Sequence, residues 1–130
     1  MADIVVKKDD GTTNVTYVAL NPSSGDGVPA YWRQEAMATQ ANLKATSSLR
    51  SAWNGPRDAR RVQFDFTYPH VSTDSTTGLT SIVARVPISV TATVPQLVPD
   101  TVVAEAVSQC ANLLSSTLVK ACFKAGFAAT

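Results

Sequence analysis

The sequence predicts an α+β domain: an N-terminal β-hairpin, a five-stranded antiparallel sheet and two C-terminal helices, in a chain that pairs with a second copy. Three observations carry this. Long alternating stretches fill the first three quarters of the chain, helical periodicity is confined to the end, and an Asp-Gly turn sits near the start. Strands first and helices last is the order expected of an α+β domain rather than of an alternating parallel one. At 130 residues the chain reads as one domain, with the hairpin over 1–20, the main sheet over 28–94 and the helices over 99–126.

The hairpin follows from two β-prone runs, Ile4 to Lys8 and Thr13 to Leu20, separated by Asp9-Asp10-Gly11. Asn21 to Gly27 is rich in Pro, Ser and Gly and reads as a loop. Val28 to Glu35, with Tyr31 and Trp32, reads as a third strand. Residues 40–50 form the fourth. Its Leu43, Ala45, Ser47 and Leu49 share one face, and Asn42, Lys44, Thr46, Ser48 and Arg50 share the other. The turn Trp53-Asn54-Gly55-Pro56 leads to a fifth strand, Ala59 to Tyr68, which Pro69 should stop. There Val62, Phe64, Phe66 and Tyr68 oppose Arg61, Gln63, Asp65 and Thr67. His70 to Leu79 is rich in Ser and Thr and predicts a flexible loop. The last strand runs from Thr80 to Val94. Its Val86, Ile88 and Val90 face one way, and Arg85, Pro87, Ser89 and Thr91 the other. Pro87 cannot donate to a ladder, so it belongs at an edge or a bulge.

After Pro95 the period changes. Asp100 or Thr101 should cap a helix whose apolar positions recur at helical spacing. Ser115-Ser116-Thr117 breaks it, and a second, shorter apolar helix ends at Gly126. Two short apolar helices must cover something. A meander with terminal helices is hard to close alone, so the expected solution is an interlocked dimer. Val103, Val107, Cys110, Leu114 and Leu118 should bury against the sheet and the partner chain. Cys110 and Cys122 are expected as small buried hydrophobes, since no C-x-x-C pair is present.

Composition is globular, 45% hydrophobic and 16% charged, with a formal net charge of +1. The charge is uneven. From Gln40 to Gln63, Lys44, Arg50, Arg57, Arg60 and Arg61 face only one acid, Asp58. Such local basicity is what an anionic partner would find. No stretch is long and apolar enough to span a membrane, and Met-Ala-Asp-Ile does not read as a signal peptide, so the expected compartment is a cytoplasm. No catalytic constellation is found. The single His70 lies in a polar loop, no spaced Cys/His set exists, and the acids are scattered through turns. The reading is therefore not an enzyme, with no metal and no cofactor. Asp65 is the exception among the acids. It projects from the polar face of a strand and should pair with Lys44 or an arginine. Lys44, Arg50, Arg61 and Arg85 could meet phosphates, while Thr46, Ser48, Gln63, Ser89 and Thr91 could approach unpaired bases. The face lacks aromatic stacking residues. A plain solvated sheet face is the competing reading.

In order and spacing, several segments together resemble the coat proteins of small single-stranded RNA bacteriophages, the levivirus-like family. They are Asp9-Asp10-Gly11-Thr12, Gly27-Val28-Pro29-Ala30-Tyr31-Trp32, Gln40-Ala41 with Lys44 to Arg50, Val94-Pro95 and Asn112-Leu113-Leu114. The resemblance spans nearly the whole chain. It implies a capsid protein that dimerises, assembles into an icosahedral shell in the bacterial host and becomes part of the virion. The joined sheets would face enclosed single-stranded RNA, and the 70–79 loop would gather at the symmetry axes. It also implies repression of translation through an RNA hairpin. By position, its RNA-facing residues fall on Lys44, Thr46, Ser48 and Arg50, then Arg61, Gln63 and Asp65, then Arg85, Pro87, Ser89 and Thr91. An adenine-pocket role carries over to Thr46 and Ser48. Three departures stand out. Asp65 replaces a lysine, Pro87 replaces a base-stacking tyrosine, and Ser89 and Thr91 replace an Asn/Glu pair. These leave hairpin specificity either lost or altered. The alternative is a dimeric RNA-binding regulator that never forms shells.

Overall fold

The computed structural model describes residues 1–130 and divides into two compact units, residues 1–93 and 94–130. The first unit is a single antiparallel meander. Its strands are β1 (Ile4–Lys7), β2 (Asn14–Asn21), β3 (Ala30–Arg33), β4 (Thr46–Trp53), β5 (Ala59–Thr73) and β6 (Thr80–Pro95), in spatial order β1-β2-β3-β4-β5-β6. The sheet thus has six strands where five were expected, because the N-terminal hairpin continues directly into it. Every connection joins neighbours, so local turn chemistry sets the register.

The β1–β2 turn shows how. Gly11 takes φ +73°, which a side chain would resist. The Asp10 carboxylate accepts from the Thr12 and Thr13 amides, both at 2.9 Å, and from the Thr13 hydroxyl at 2.6 Å. Those three donors, the Thr13 hydroxyl first, pull Asp10 down to about 2. The β4–β5 turn is organised by Asn54. Its Oδ1 accepts from the Asp58 and Ala59 amides, and its Nδ2 donates to Asp58 at 2.5 Å. Arg57 sits there at φ +57°, the one non-glycine in the left-handed region.

Three strand boundaries depart from expectation. The fourth strand begins at Thr46, because residues 41–43 form a 3-10 turn in which the Leu43 amide donates to the Gln40 carbonyl at 3.1 Å. The apolar spacing of Leu43 and Ala45 matches a strand, yet it also suits a turn that tucks Leu43 inward. The third strand shrinks to four residues and is followed by a 3-10 turn at Glu35–Met37. The fifth strand passes through Pro69 to Thr73. Its pairing with β4 ends at Thr46↔Thr67, so no ladder bond on that side needs the missing N–H. The expected 70–79 loop accordingly contracts to a turn. The Asp74 amide donates to the Leu79 carbonyl and the Gly78 amide to the Asp74 carbonyl, each at 2.8 Å.

The core lies on one face of β2–β4. Tyr17, Ala30, Trp32 and Ala45 are buried, with Val15, Ala19, Met37 and Phe66 packed against them. The Trp32 indole donates to the Ala2 carbonyl at 3.0 Å, and the Asp3 carboxylate accepts from the Ala19 amide at 2.9 Å, beside a bulge between Ala19 and Asn21. Ala2 and Asp3 are therefore tied to the sheet. Burial raises the Tyr17 phenol above its ordinary value.

In the second unit, α1 (Asp100–Leu114) and α2 (Thr117–Ala125) meet at a break after Leu114. Pro99, not Asp100 or Thr101, occupies the N-cap position, and no side chain caps the helix. Asp100 instead stands in the first turn, where a negative charge suits the helix dipole. Gly126 closes α2 at φ +79°. No helix residue is buried in the single chain; Val103 and Cys122 are half-buried, while Val107, Cys110, Leu114 and Leu118 are exposed. The cysteines are thus free and not buried as expected.

Candidate nucleic-acid interface

Cross-strand register decides which side chains share the open face. Tyr31 pairs with Ser48 and Arg33 with Thr46 across β3–β4. Across β4–β5, Thr46 pairs with Thr67, Ser48 with Asp65, Arg50 with Gln63, and Ala52 with Arg61. Directly paired residues point to the same side. The alternation read in the sequence therefore places Thr46, Ser48, Arg50, Arg61, Gln63 and Asp65 together. The Ser89 hydroxyl donates to Asp65, which brings the odd-numbered residues of β6 (Arg85, Pro87, Ser89 and Thr91) to this face as well.

A hydrogen-bond chain crosses the face. Arg50 Nη2 donates to Gln63 Oε1 at 2.9 Å. Gln63 Nε2 donates to both carboxylate oxygens of Asp65, at 3.1 and 3.2 Å. Ser89 then bonds Asp65 Oδ1. The Ser89 and Gln63 bonds, with the nearby Arg50 charge, hold Asp65 below the usual carboxylate range, so it stays ionised. Of the partners expected for Asp65, Lys44 or an arginine, Lys44 is absent and Arg50 reaches it only through Gln63. Lys44 and Arg33 both bind Glu35 instead, Arg33 at 2.6 Å, and these two cations lower the Glu35 carboxyl, Lys44 foremost.

Arg60 also leaves the basic set. Its register partner is Trp53, on the apolar side of the sheet. There its guanidinium lies 4.8 Å from the Trp53 ring centroid and pairs with Asp26 at 2.5 Å, a contact that lowers the Asp26 carboxyl. Asp26 also accepts from the Trp53 amide at 3.1 Å, so this cluster anchors the 22–28 loop to the end of β4. The cations of the open face outside the ion pairs are Arg50, Arg61 and Arg85. Arg50, Arg61 and Gln63 line a shallow hollow with Gly27 and the Trp53–Gly55 turn.

One residue was missed. Tyr31 lies on this face, 44% exposed, opposite Ser48. The face therefore does carry an aromatic ring. The signal was the alternation Ala30-Tyr31-Trp32-Arg33: once Trp32 is inward, Tyr31 must be outward. The opposite face is apolar and largely uncovered beyond β4. Val86, Ile88 and Val90 of β6 are exposed, as is Tyr68 of β5. No group of side chains suits a metal ion.

No protein-family model and no curated protein matches the sequence. Solved structures do. A meander that leads into two C-terminal helices defines the class: the coat-protein fold of small phages. The virus-like particle of bacteriophage NT-214 aligns over 100% of this chain and 98% of its own, with TM-score 0.84 and 16% identity. That of Beihai levi-like virus 21 aligns over 100% and 98%, with TM-score 0.83 and 13% identity. The bacteriophage GA capsid protein aligns over 97% and 95%, with TM-score 0.74 and 16% identity. The chain has the fold of the levi-like phage coat proteins.

Proposed function

We propose that this protein is a capsid subunit. Two copies dimerise, dimers assemble into an icosahedral shell in the bacterial host, and the open sheet face contacts single-stranded RNA inside the virion. The observation that carries the reading is the two-sidedness of the sheet. One face presents Arg50, Arg61 and Arg85 among hydroxyl and amide side chains. The other presents an apolar row on β6 that a single chain leaves exposed. Exposed apolar surface of that extent marks an association surface. At roughly 25 cal/mol per Å2 of apolar area, its burial would dominate assembly, while the arginines would govern RNA retention.

Val103, Val107, Cys110, Leu114 and Leu118 then bury at the contact between copies. Phosphate contact falls to Arg50, Arg61 and Arg85, with Lys44 left to brace Glu35. Thr46, Ser48, Gln63, Ser89 and Thr91 line the approach to bases. Translational repression through an RNA hairpin belongs to the same reading, since a shared face could serve both.

The test is expression of the chain alone, followed by size-exclusion chromatography and negative-stain microscopy. Uniform spheres holding nuclease-protected RNA are expected. A small dimer that binds RNA in a salt-sensitive way and forms no particles would replace the capsid reading with an RNA-binding regulator. Arg61→Ala with Arg85→Ala should leave assembly intact and lower packaged RNA; unchanged RNA content would remove this face from the interior.

A further inference from the structure

We propose that Tyr31, Ser48, Asp65 and Arg50 form a seat for one unpaired guanine of the RNA. The inference rests on the reading of the open face as the RNA-contacting one.

Tyr31, Ser48 and Asp65 form a lateral row across β3, β4 and β5, set by the pairs Tyr31↔Ser48 and Ser48↔Asp65. Neighbouring positions in such a row stand ~5 Å apart. The row thus has an aromatic wall, a small floor and a carboxylate on the far side. The gap between wall and carboxylate, about 10 Å at the backbone, suits a nucleobase. The exposed Tyr31 ring offers a stacking surface, which any base can use.

Asp65 and Arg50 supply the choice among bases. An ionised carboxylate repels phosphate and accepts only from donors. Asp65 Oδ1 takes the Ser89 hydroxyl and shares the Gln63 amide with Oδ2. Oδ2 therefore keeps capacity for another donor. The exocyclic amines of guanine, adenine and cytosine qualify, whereas uracil has none. Arg50 stands two residues along β4 from Ser48 on the same face and forms no salt bridge, its charge lying near Asp65. Its remaining N–H groups suit the O6 and N7 acceptors of guanine. Guanine combines that acceptor pair with an exocyclic amine. Gln63 is engaged at both ends of its amide, so it fixes the spacing of Arg50 and Asp65 and is a positioning residue.

The test measures binding of the full protein to short fluorescent oligouridines carrying one central substitution, at low salt. Guanosine should tighten binding roughly tenfold over all-uridine. Inosine, which lacks only the exocyclic amine, should keep the Arg50 contacts and lose the part of that gain that Asp65 supplies. Asp65→Ala should raise the oligouridine affinity, because a charge that repels phosphate is lost, and abolish the guanosine–inosine difference. Tyr31→Phe should behave as the wild type, and Tyr31→Ala should weaken every oligonucleotide. Equal binding of guanosine and inosine by the wild-type protein overturns the seat while leaving the RNA face standing, and so does a preserved difference in Asp65→Ala. Failure to bind any of these oligonucleotides overturns the RNA face itself and the seat with it.

Discussion

The sheet between β2 and β4 and the C-terminal third of the chain are both rich in apolar residues, yet they use them differently. Around Tyr17, Trp32 and Ala45 the apolar side chains are buried by their own chain. On β6, α1 and α2 they are not: Val86, Val107 and Leu118 are each more than half exposed. Similar hydrophobicity thus serves two purposes. The first region makes a small core that a lone chain completes, and the second leaves its apolar surface exposed, the surface that the proposed function assigns to association. A core of six buried hydrophobic residues is slight for this length, so under the proposed function the second region contributes stability through a partner.

Substitutions can break that comparison. Trp32→Ala should cost ~3–5 kcal/mol in denaturant unfolding, since it removes a core ring and leaves the Ala2 carbonyl without its donor. The loss should be independent of protein concentration. Leu118→Ala should cost roughly 2–5 kcal/mol if association buries it, but under ~0.5 kcal/mol if it stays in water. The comparison holds if that loss appears only above the dimerisation concentration, and it falls if dilute and concentrated samples lose equally.

Smaller effects sharpen it further. Arg57→Gly should stabilise the β4–β5 turn by about 1 kcal/mol, read as a raised melting temperature, because glycine relieves the left-handed backbone. The smallest effect concerns acid. Asp10, Asp26, Glu35, Asp65 and Asp74 all have lowered carboxyl values in the fold. Their contribution is full above the ordinary carboxylate range, near ~4, and declines as pH falls through the folded values. All five lie in the first unit, so acid should loosen its turns before it affects the helices. Asp10→Asn should remove the part of the loss that extends down to about 2. Hydrogen exchange of the Thr12 and Thr13 amides across an acid series would register it.

Much of this was legible from residue order. Of the alternation read over 40–50, the part from Thr46 to Arg50 agrees with the register, as does that from Arg61 to Tyr68, because side-chain direction in a strand depends only on parity; residues 41–43 form a turn instead. The Asp-Gly turn and the Ser115–Ser116 break are equally local. What parity leaves open is which neighbour each residue meets. Lys44 turned to Glu35 rather than Asp65, and Arg60 sits on the apolar side against Trp53, because register and loop return bring Glu35 and Asp26 within reach. Pro69 remains inside a strand because β4 ends beside it. Tyr31 became part of the open face only once Trp32 was fixed inward. By itself, then, the sequence determined the order of strands and helices and most of the sidedness of the sheet, properties of near neighbours along the chain, but not where the third, fourth and fifth strands begin and end. The tertiary structure alone decided the charge pairs and the row from Tyr31 to Asp65, since these join residues that only cross-strand register brings together.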